Sequence, residues 1–193
     1  MNLNAIKKAC VARRRAMIMN APDGGQWISS GQCCYPVEGM RMSLEALEAL
    51  FNLSEKQREN MAFLCGPADD PRLCATEADG EEWAREAGKL VFMDAVFIAL
   101  ATPRGVMYIP NDPIKHIRDD YRRYAVRWRG GEPMVAVYGN LFVEALCLPL
   151  GNAEAAAANR TAAEMAGARY TWPENGTGGA EEAAEAMAEA MGA

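Results

Sequence analysis

The sequence predicts an α+β fold, in which an antiparallel sheet and short helices form a body that is followed by an alanine-rich helical tail. Short apolar segments bounded by glycine and proline alternate with capped helical segments over residues 1–150, whereas sixteen of residues 151–193 are alanine. Half of the 193 residues are hydrophobic, which is enough to build a core. We therefore expect a body over residues 1–150 and a helical or mobile Ala/Glu-rich tail over residues 151–193.

The chain begins with a helix-and-hairpin pattern. Residues 2–13 have the apolar spacing of a short helix, and the apolar run 16–19 predicts a strand. The turn residues Asp23-Gly24-Gly25 lead into a second strand at residues 26–28, which completes a hairpin.

A third extended segment is expected at residues 32–37. Pro36 lies within it, and proline cannot donate a hydrogen bond to a neighbouring strand. This segment is therefore expected to be an edge strand, or the end of one.

Two helices with clear start signals follow. Ser43 is expected to cap a helix that runs through Phe51, which has apolar residues at helical spacing. Ser54 and Gln57 form a capping-box pattern for a second helix, which is expected to end near residues 65–67.

The middle of the chain is acidic and then apolar. Residues 66–80 predict an exposed loop, and residues 81–86 a helical turn. The nearly continuous apolar run of residues 90–101 predicts one buried strand. Asp94 would interrupt that strand, so an inward-facing Asp94 would have to be paired with a cation.

Residues 106–149 predict a strand, a short helix and a meander. Residues 106–109 form the strand, and Asp112 followed by Pro113 starts a helix whose apolar stripe ends at Tyr121. The next strand is expected to point its aromatic residues inward and its arginines outward. It begins a three-stranded antiparallel meander that ends at Leu148.

Similar element orders in residues 1–65 and 89–150 suggest two halves joined by an acidic loop, as in a degenerate duplication. The order of elements in residues 89–150 resembles one repeat of a DNA sliding clamp. In the tail, residues 153–168 and 181–191 are expected to form two helices separated by a flexible joint, with helicity that is intrinsic more than packed.

Charge and composition limit the class of protein. No apolar run is long enough for a membrane helix, and no signal peptide is recognisable, so we expect a cytoplasmic protein. The net charge of −6 and pI of 5.0 disfavour autonomous binding to nucleic acid. The six cysteines lack Cys-x-x-Cys spacing, so we expect free thiols and no zinc site.

Catalytic constellations are missing from the sequence. His116 is the only histidine, and it lies among basic residues, where a proton would bind less readily. Nucleophile-elbow, phosphate-loop and dinucleotide-binding motifs are absent. Asp94 and the pair Asp69-Asp70 leave a metal-assisted reaction as an open alternative, whereas Asp119 and Asp120 lie in an arginine-rich segment and are expected to form ion pairs there. We expect no cofactor, no catalytic residue and a protein that is not an enzyme.

A basic, aromatic segment is the candidate binding surface. Residues 115–129 contain six basic and two acidic side chains, whereas residues 69–86 contain seven acidic and two basic ones. Arginine and tyrosine are strong anchors in protein interfaces. The residues expected to contact a protein partner are Arg118, Tyr121, Arg122, Arg123, Arg127 and Arg129.

Residues 23–28, 35–37 and 50–56 together resemble short accessory proteins carried by phages and prophages of gut anaerobic bacteria. Residues 107–109 and 146–149 are similar as well. The resemblance implies a host-takeover or counter-defence role, including that of an anti-CRISPR protein, and brings no catalytic motif with it.

The leading hypothesis is a non-enzymatic protein of a mobile element that binds and modulates a host or phage macromolecule. The partner is expected to be a protein, such as part of a nucleic-acid-processing complex, and the oligomeric state stays open. Two alternatives remain: a DNA-associated replication accessory with a clamp-like repeat, and a metal-assisted enzyme that uses acidic residues.

Overall fold

A computed structural model describes residues 2–37, 39, 41–67 and 70–165 of the chain. The described residues contain ten strands and four α-helices, which confirms the α+β prediction. The helices are α1 (Leu3–Ala12), α2 (Leu44–Phe51), α3 (Glu55–Glu59) and α4 (Asn152–Met165). The strands are β1 (Arg15–Asn20), β2 (Gln26–Ser29), β3 (Cys33–Val37), β4 (Ala62–Pro67), β5 (Glu82–Phe92), β6 (Ala95–Thr102), β7 (Gly105–Pro110), β8 (Arg122–Arg129), β9 (Glu132–Gly139) and β10 (Phe142–Cys147).

The chain divides into two compact units. The first contains residues 1–79, 113–122 and 136–147, and the second contains residues 80–112, 123–135 and 148–193. Strand β9 begins in the second unit and ends in the first.

In the first unit the hydrogen-bonded strand order is β4-β1-β2-β3-β10. The β1–β2 hairpin is antiparallel, as the turn residues predict, and pairs Ile18 with Ile28. Helix α2 begins at its expected cap, because the Ser43 side chain accepts a hydrogen bond from a backbone N–H group in the first turn. Helix α1 has a cap that was not predicted, the side chain of Asn2, which accepts from the backbone N–H of Ala5.

Residues 62–67 correct one expectation for the first unit. The capping box of α3 is present, but the helix ends at Glu59, and the segment expected to extend it forms strand β4 instead. Strand β4 runs parallel to β1, with Ala62 opposite Arg15. The backbone of β1 supplies the hydrogen-bond partners of β4, and these residues lie almost fifty positions earlier in the chain. A local helix pattern carries no information about such distant partners.

Of the two alternatives for Pro36, the edge strand is wrong, because β3 pairs with β2 on one side and β10 on the other. The end of a strand is correct, because Pro36 is the next-to-last residue of β3. The pairing with β10 involves Cys33 and Cys34 and does not reach Pro36, which lies opposite Trp27 of β2. An interior strand therefore tolerates this proline because the second ladder ends before it.

In the second unit the strand order is β8-β5-β6-β7. The helical turn expected at residues 81–86 is wrong, because β5 begins at Glu82 and pairs with β8. The single strand expected at residues 90–101 is also wrong, because a turn at Met93 and Asp94 divides it into β5 and β6. Both turn residues have positive φ angles, of 50° and 58°.

Two expectations for residues 112–129 also need correction. The helix expected after Asp112 is replaced by two short 3-10 turns, 112–114 and 119–121. Strand β8 does not show the expected alternation of inward aromatic and outward arginine side chains, because residues 124–127 are all buried, Arg127 among them. The expected three-stranded meander is confirmed, with the β9–β10 turn at Asn140.

Helix α4 covers part of the second unit's sheet, so its helicity is supported by packing as well as by composition. Ala158 and Ala162 lie in a buried cluster with Ala99 and Tyr108. The hydroxyl of Tyr108 donates to the Asn159 side-chain oxygen at 2.5 Å. Because the alanine side chains of α4 are small, the helix can lie close to the sheet. The expected helix at residues 181–191 lies outside the described residues.

Candidate partner-binding surface

The structure separates the six expected anchor residues by environment. Arg118 and Tyr121 lie on the surface of the first unit, where the Arg118 guanidinium is 5.0 Å from the centre of the Tyr121 ring. Arg118 also lies 3.7 Å from Asp120, and both of these side chains are more than 70% exposed. Because its side chain is largely exposed, Arg118 is accessible to a partner. The exposed ion pair with Asp120 contributes little to stability.

Arg122 is buried, with only 3% of its side chain exposed. Its Nε donates to the carbonyl oxygen of Ile117 at 2.8 Å, and its Nη2 lies 2.7 Å from Asp119. These contacts hold the turn that leads into β8. The structure therefore assigns this guanidinium to the fold of the first unit, and a substitution there would disturb the turn.

Next to Arg122, His116 is half-buried and lies 6.1 Å from the ring centre of Tyr35. Burial is the main cause that lowers the pKa of His116, and the positive charge of Arg122 acts in the same direction. His116 Nδ1 and Arg122 Nη1 are both buried without a hydrogen-bond partner among the described residues. These surroundings disfavour the charged imidazolium, although a hydrogen bond with the backbone of Pro113 acts on the pKa in the opposite direction.

Arg127 is also buried, in the second unit. Its Nε lies 2.6 Å from the carboxylate of Glu81, and both side chains are 2% exposed. A buried ion pair needs both partners, because removal of one leaves a charge in a poorly solvated site. Arg127 is thus part of the internal structure of this unit and is not presented to solvent.

Arg123 and Trp83 form the most distinctive exposed pair. The Arg123 guanidinium lies 5.1 Å from the centre of the Trp83 ring, and Trp83 is 44% exposed. The register places Trp83 of β5 opposite Ala125 of β8. Because side chains two residues apart on a strand share a face, Arg123 lies on the same side as Trp83.

Arg85 and Arg129 are exposed further along these two strands. Arg85 follows Trp83 by two residues and so lies on the same side of β5. We refer to Trp83, Arg85 and Arg123 as the Trp83 surface. The sequence pattern placed Trp83 in a helical turn and did not identify it as a binding residue, because residues 82–86 have no strict alternation of polar and apolar side chains that would indicate a strand.

A second arginine–tryptophan stack lies in the same unit and is more enclosed. The Arg104 guanidinium lies 4.1 Å above the Trp128 ring and 2.6 Å from a carboxylate oxygen of Glu82. Trp128 is partly buried, and its Nε1 has no hydrogen-bond partner among the described residues. Arg104 therefore joins the β6–β7 turn to strands β5 and β8.

The acidic groups considered for chemistry do not converge. Asp94 is exposed in the β5–β6 turn, which corrects the expectation that it interrupts a buried strand. Asp70 is held by Arg72 at 2.7 Å, and Asp69 lies outside the described residues. Within the described part of the chain, no group of three or more His, Cys, Asp or Glu side chains is arranged to hold a metal ion.

No helix in the described ranges is long and apolar enough to cross a membrane. Comparison of the chain with protein-family models, curated proteins and solved structures finds no match.

Proposed function

We propose that this protein is a non-enzymatic accessory protein of a phage or another mobile element, and that it binds and modulates a host or phage protein through the Trp83 surface. The observation that carries the proposal is the stack of Arg123 on an exposed tryptophan. Tryptophan and arginine dominate the binding energy of protein interfaces, and a ring already held by a neighbouring side chain loses less entropy on binding.

The chemistry of the surface selects the kind of partner. Arg85 and Arg123 lie on the same side as Trp83, while the chain as a whole has a net charge of −6. A locally basic surface on an acidic protein disfavours the long phosphate backbone of DNA, which needs many uncompensated cations. An acidic patch on a protein, with an apolar recess for the indole, fits better.

The resemblance to phage and prophage accessory proteins supports a counter-defence role. Under this proposal the partner belongs to a nucleic-acid-processing complex of the host, as it would for an anti-CRISPR protein. The protein would then act by occupying a surface that the complex needs, without chemistry of its own.

Affinity capture with the full chain tests the proposal. The tagged protein is used as bait in a nuclease-treated lysate of a phage-infected bacterial host, and partners are identified by mass spectrometry. The variants are Trp83→Ala and Arg123→Glu. The matched control is Arg58→Glu, a charge reversal at another exposed arginine.

We expect wild type and Arg58→Glu to capture the same host or phage protein. The two Trp83-surface variants should weaken its binding by about 30-fold or more in Kd, as loss of an interface hot spot does. Melting temperatures of the charge-reversal variants should match that of wild type, because exposed substitutions change stability little. Equal capture by all four proteins would refute the assignment of this surface.

A fluorescence titration with duplex DNA separates the main alternative. Tight binding that weakens steeply with salt would favour a DNA-associated replication accessory instead. Under our proposal, purified protein binds duplex DNA no more tightly than expected for non-specific contact, with dissociation constants of about 10⁻⁴–10⁻⁶ M.

A further inference from the structure

Cys33 and Cys147 form a cross-strand pair inside the first unit. Strands β3 and β10 are antiparallel, and their register places Cys33 directly opposite Cys147. Both residues are fully buried, and their sulfur atoms are 2.7 Å apart although 114 positions separate them in sequence. All six cysteines of the chain are free thiols in the structure.

The backbone geometry at this pair suits a covalent link. Residues directly opposite each other in antiparallel strands have Cα atoms about 4.5–5.5 Å apart, which falls within the range of about 4.4–6.8 Å seen across disulfides. Formation of the bond shortens the sulfur–sulfur distance to about 2.05 Å. Side-chain rotation can therefore supply the remaining approach without separation of the strands.

The other buried thiols are placed differently. The sulfur of Cys34 lies 4.0 Å from the thioether sulfur of Met19, and that of Cys10 lies 4.0 Å from the carbonyl oxygen of Ser29. Cys34 is adjacent to Cys33 in sequence, so on an extended strand its side chain points to the opposite face. The register thus singles out Cys33 as the partner of Cys147.

We propose that Cys33 and Cys147 are a site of covalent modification, at which a peroxide converts the thiol pair into a disulfide that links β3 to β10. In the first step the sulfur of one cysteine attacks a peroxide oxygen. The O–O bond breaks, the cysteine becomes a sulfenic acid, and water leaves with the thiol proton. In the second step the other sulfur attacks the sulfenic sulfur, the S–O bond breaks, and a second water leaves.

The surroundings make this oxidation slow in the native protein. Burial raises the pKa of Cys33 well above its ordinary value, and the neighbouring Cys147 thiol acts in the same direction. The reactive thiolate is therefore scarce at neutral pH, and reaction requires a small oxidant or a brief opening of the strands. Once formed, the buried disulfide is shielded from reductants by the same packing.

Mass spectrometry of the full chain provides the test. Native protein is treated with hydrogen peroxide, free thiols are alkylated, and the protein is digested without reduction. We expect a peptide that contains Cys147 joined to one that contains Cys33, lighter by two hydrogen atoms than the sum of the reduced peptides. The melting temperature should rise by roughly 10 °C, because the link closes a long loop.

Variants identify which sulfur reacts. Cys33 and Cys34 are adjacent and remain in one tryptic peptide, so Cys34→Ala is the matched control and should keep the link to Cys147. Cys33→Ala should abolish it. If Cys33→Ala does not fold, the Cys34→Ala result still decides the pairing.

A second preparation exposes the sulfur atoms of Cys33 and Cys147 to the oxidant before they are buried. The protein is unfolded and refolded in a buffer of reduced and oxidised glutathione, in which both sulfurs meet the oxidant before they are buried. A Cys34→Ala protein in which Cys33 and Cys147 are still alkylated as free thiols after both treatments would overturn the proposal. A link to Cys147 that persists in Cys33→Ala and is lost in Cys34→Ala would overturn it as well.

Discussion

The buried Glu81–Arg127 pair gives the most demanding test of the structure. The two side chains lie 2.6 Å apart and are almost fully shielded from water. Replacement of Arg127 by methionine keeps the approximate length of the side chain and removes its charge. The Glu81 carboxylate then loses the guanidinium that neutralises it.

The expected cost follows from the burial. Removal of one partner from a buried ion pair lowers the free energy of unfolding by about 3–5 kcal/mol, because the remaining charge is desolvated without compensation. For a chain of this size that corresponds to a fall in melting temperature of roughly 10 °C. By contrast, Arg123→Glu, at an exposed position of the same strand, should change the stability by less than about 0.5 kcal/mol.

Urea denaturation followed by circular dichroism measures these differences, with comparable m-values required before the free energies are compared. The double variant Glu81→Leu/Arg127→Met provides the internal control. Because both charges are removed together, it should be more stable than Arg127→Met alone. A loss of under 1 kcal/mol for Arg127→Met, or a double variant that is less stable than the single one, would refute the burial argument.

Two further predictions concern the imidazole and the last described helix. Burial lowers the pKa of His116 in the folded protein below its unfolded value of about 6.5, so the unfolded chain binds more protons as the pH falls through that range, and stability falls with it. His116→Phe should reduce this fall in pH-dependent melts, and an unchanged fall would contradict the burial of the imidazole. Ala158→Leu should destabilise the protein by about 1–3 kcal/mol, because the fully buried Ala158 side chain faces a packed sheet. The control Ala156→Leu, on the exposed side of α4, should have little effect. Equal melting temperatures for the two variants would contradict the packing of α4.

Local signals predicted the elements whose stabilising contacts lie within a few residues. The caps at Ser43 and Ser54 bind backbone groups three residues away, so the starts of α2 and α3 could be inferred from the sequence. The same holds for the β1–β2 turn, where Gly24 has a positive φ angle. The helical pattern of residues 153–165 was also predicted correctly.

The candidate site was less predictable. The sequence indicated a basic and aromatic segment, but the alternation of residues 124–129 suggested that Arg127 and Arg129 face solvent. The structure buries Arg127, because Glu81 arrives from β5 with a carboxylate that neutralises it. It also brings Trp83 next to Arg123, two residues that are 40 positions apart and that no local pattern connects.

The sequence by itself therefore determined the fold class, through its alternating apolar segments and capped helical segments. It also determined the starts of the capped helices and the β1–β2 turn, because hydrogen bonds between near neighbours stabilise these features. Only the tertiary structure decided that residues 62–67 pair in parallel with β1, that Cys33 meets Cys147, and which arginines are accessible. The physical reason is the same in each case. A strand or a charged side chain takes its final environment from a partner that folding brings from a distant part of the chain.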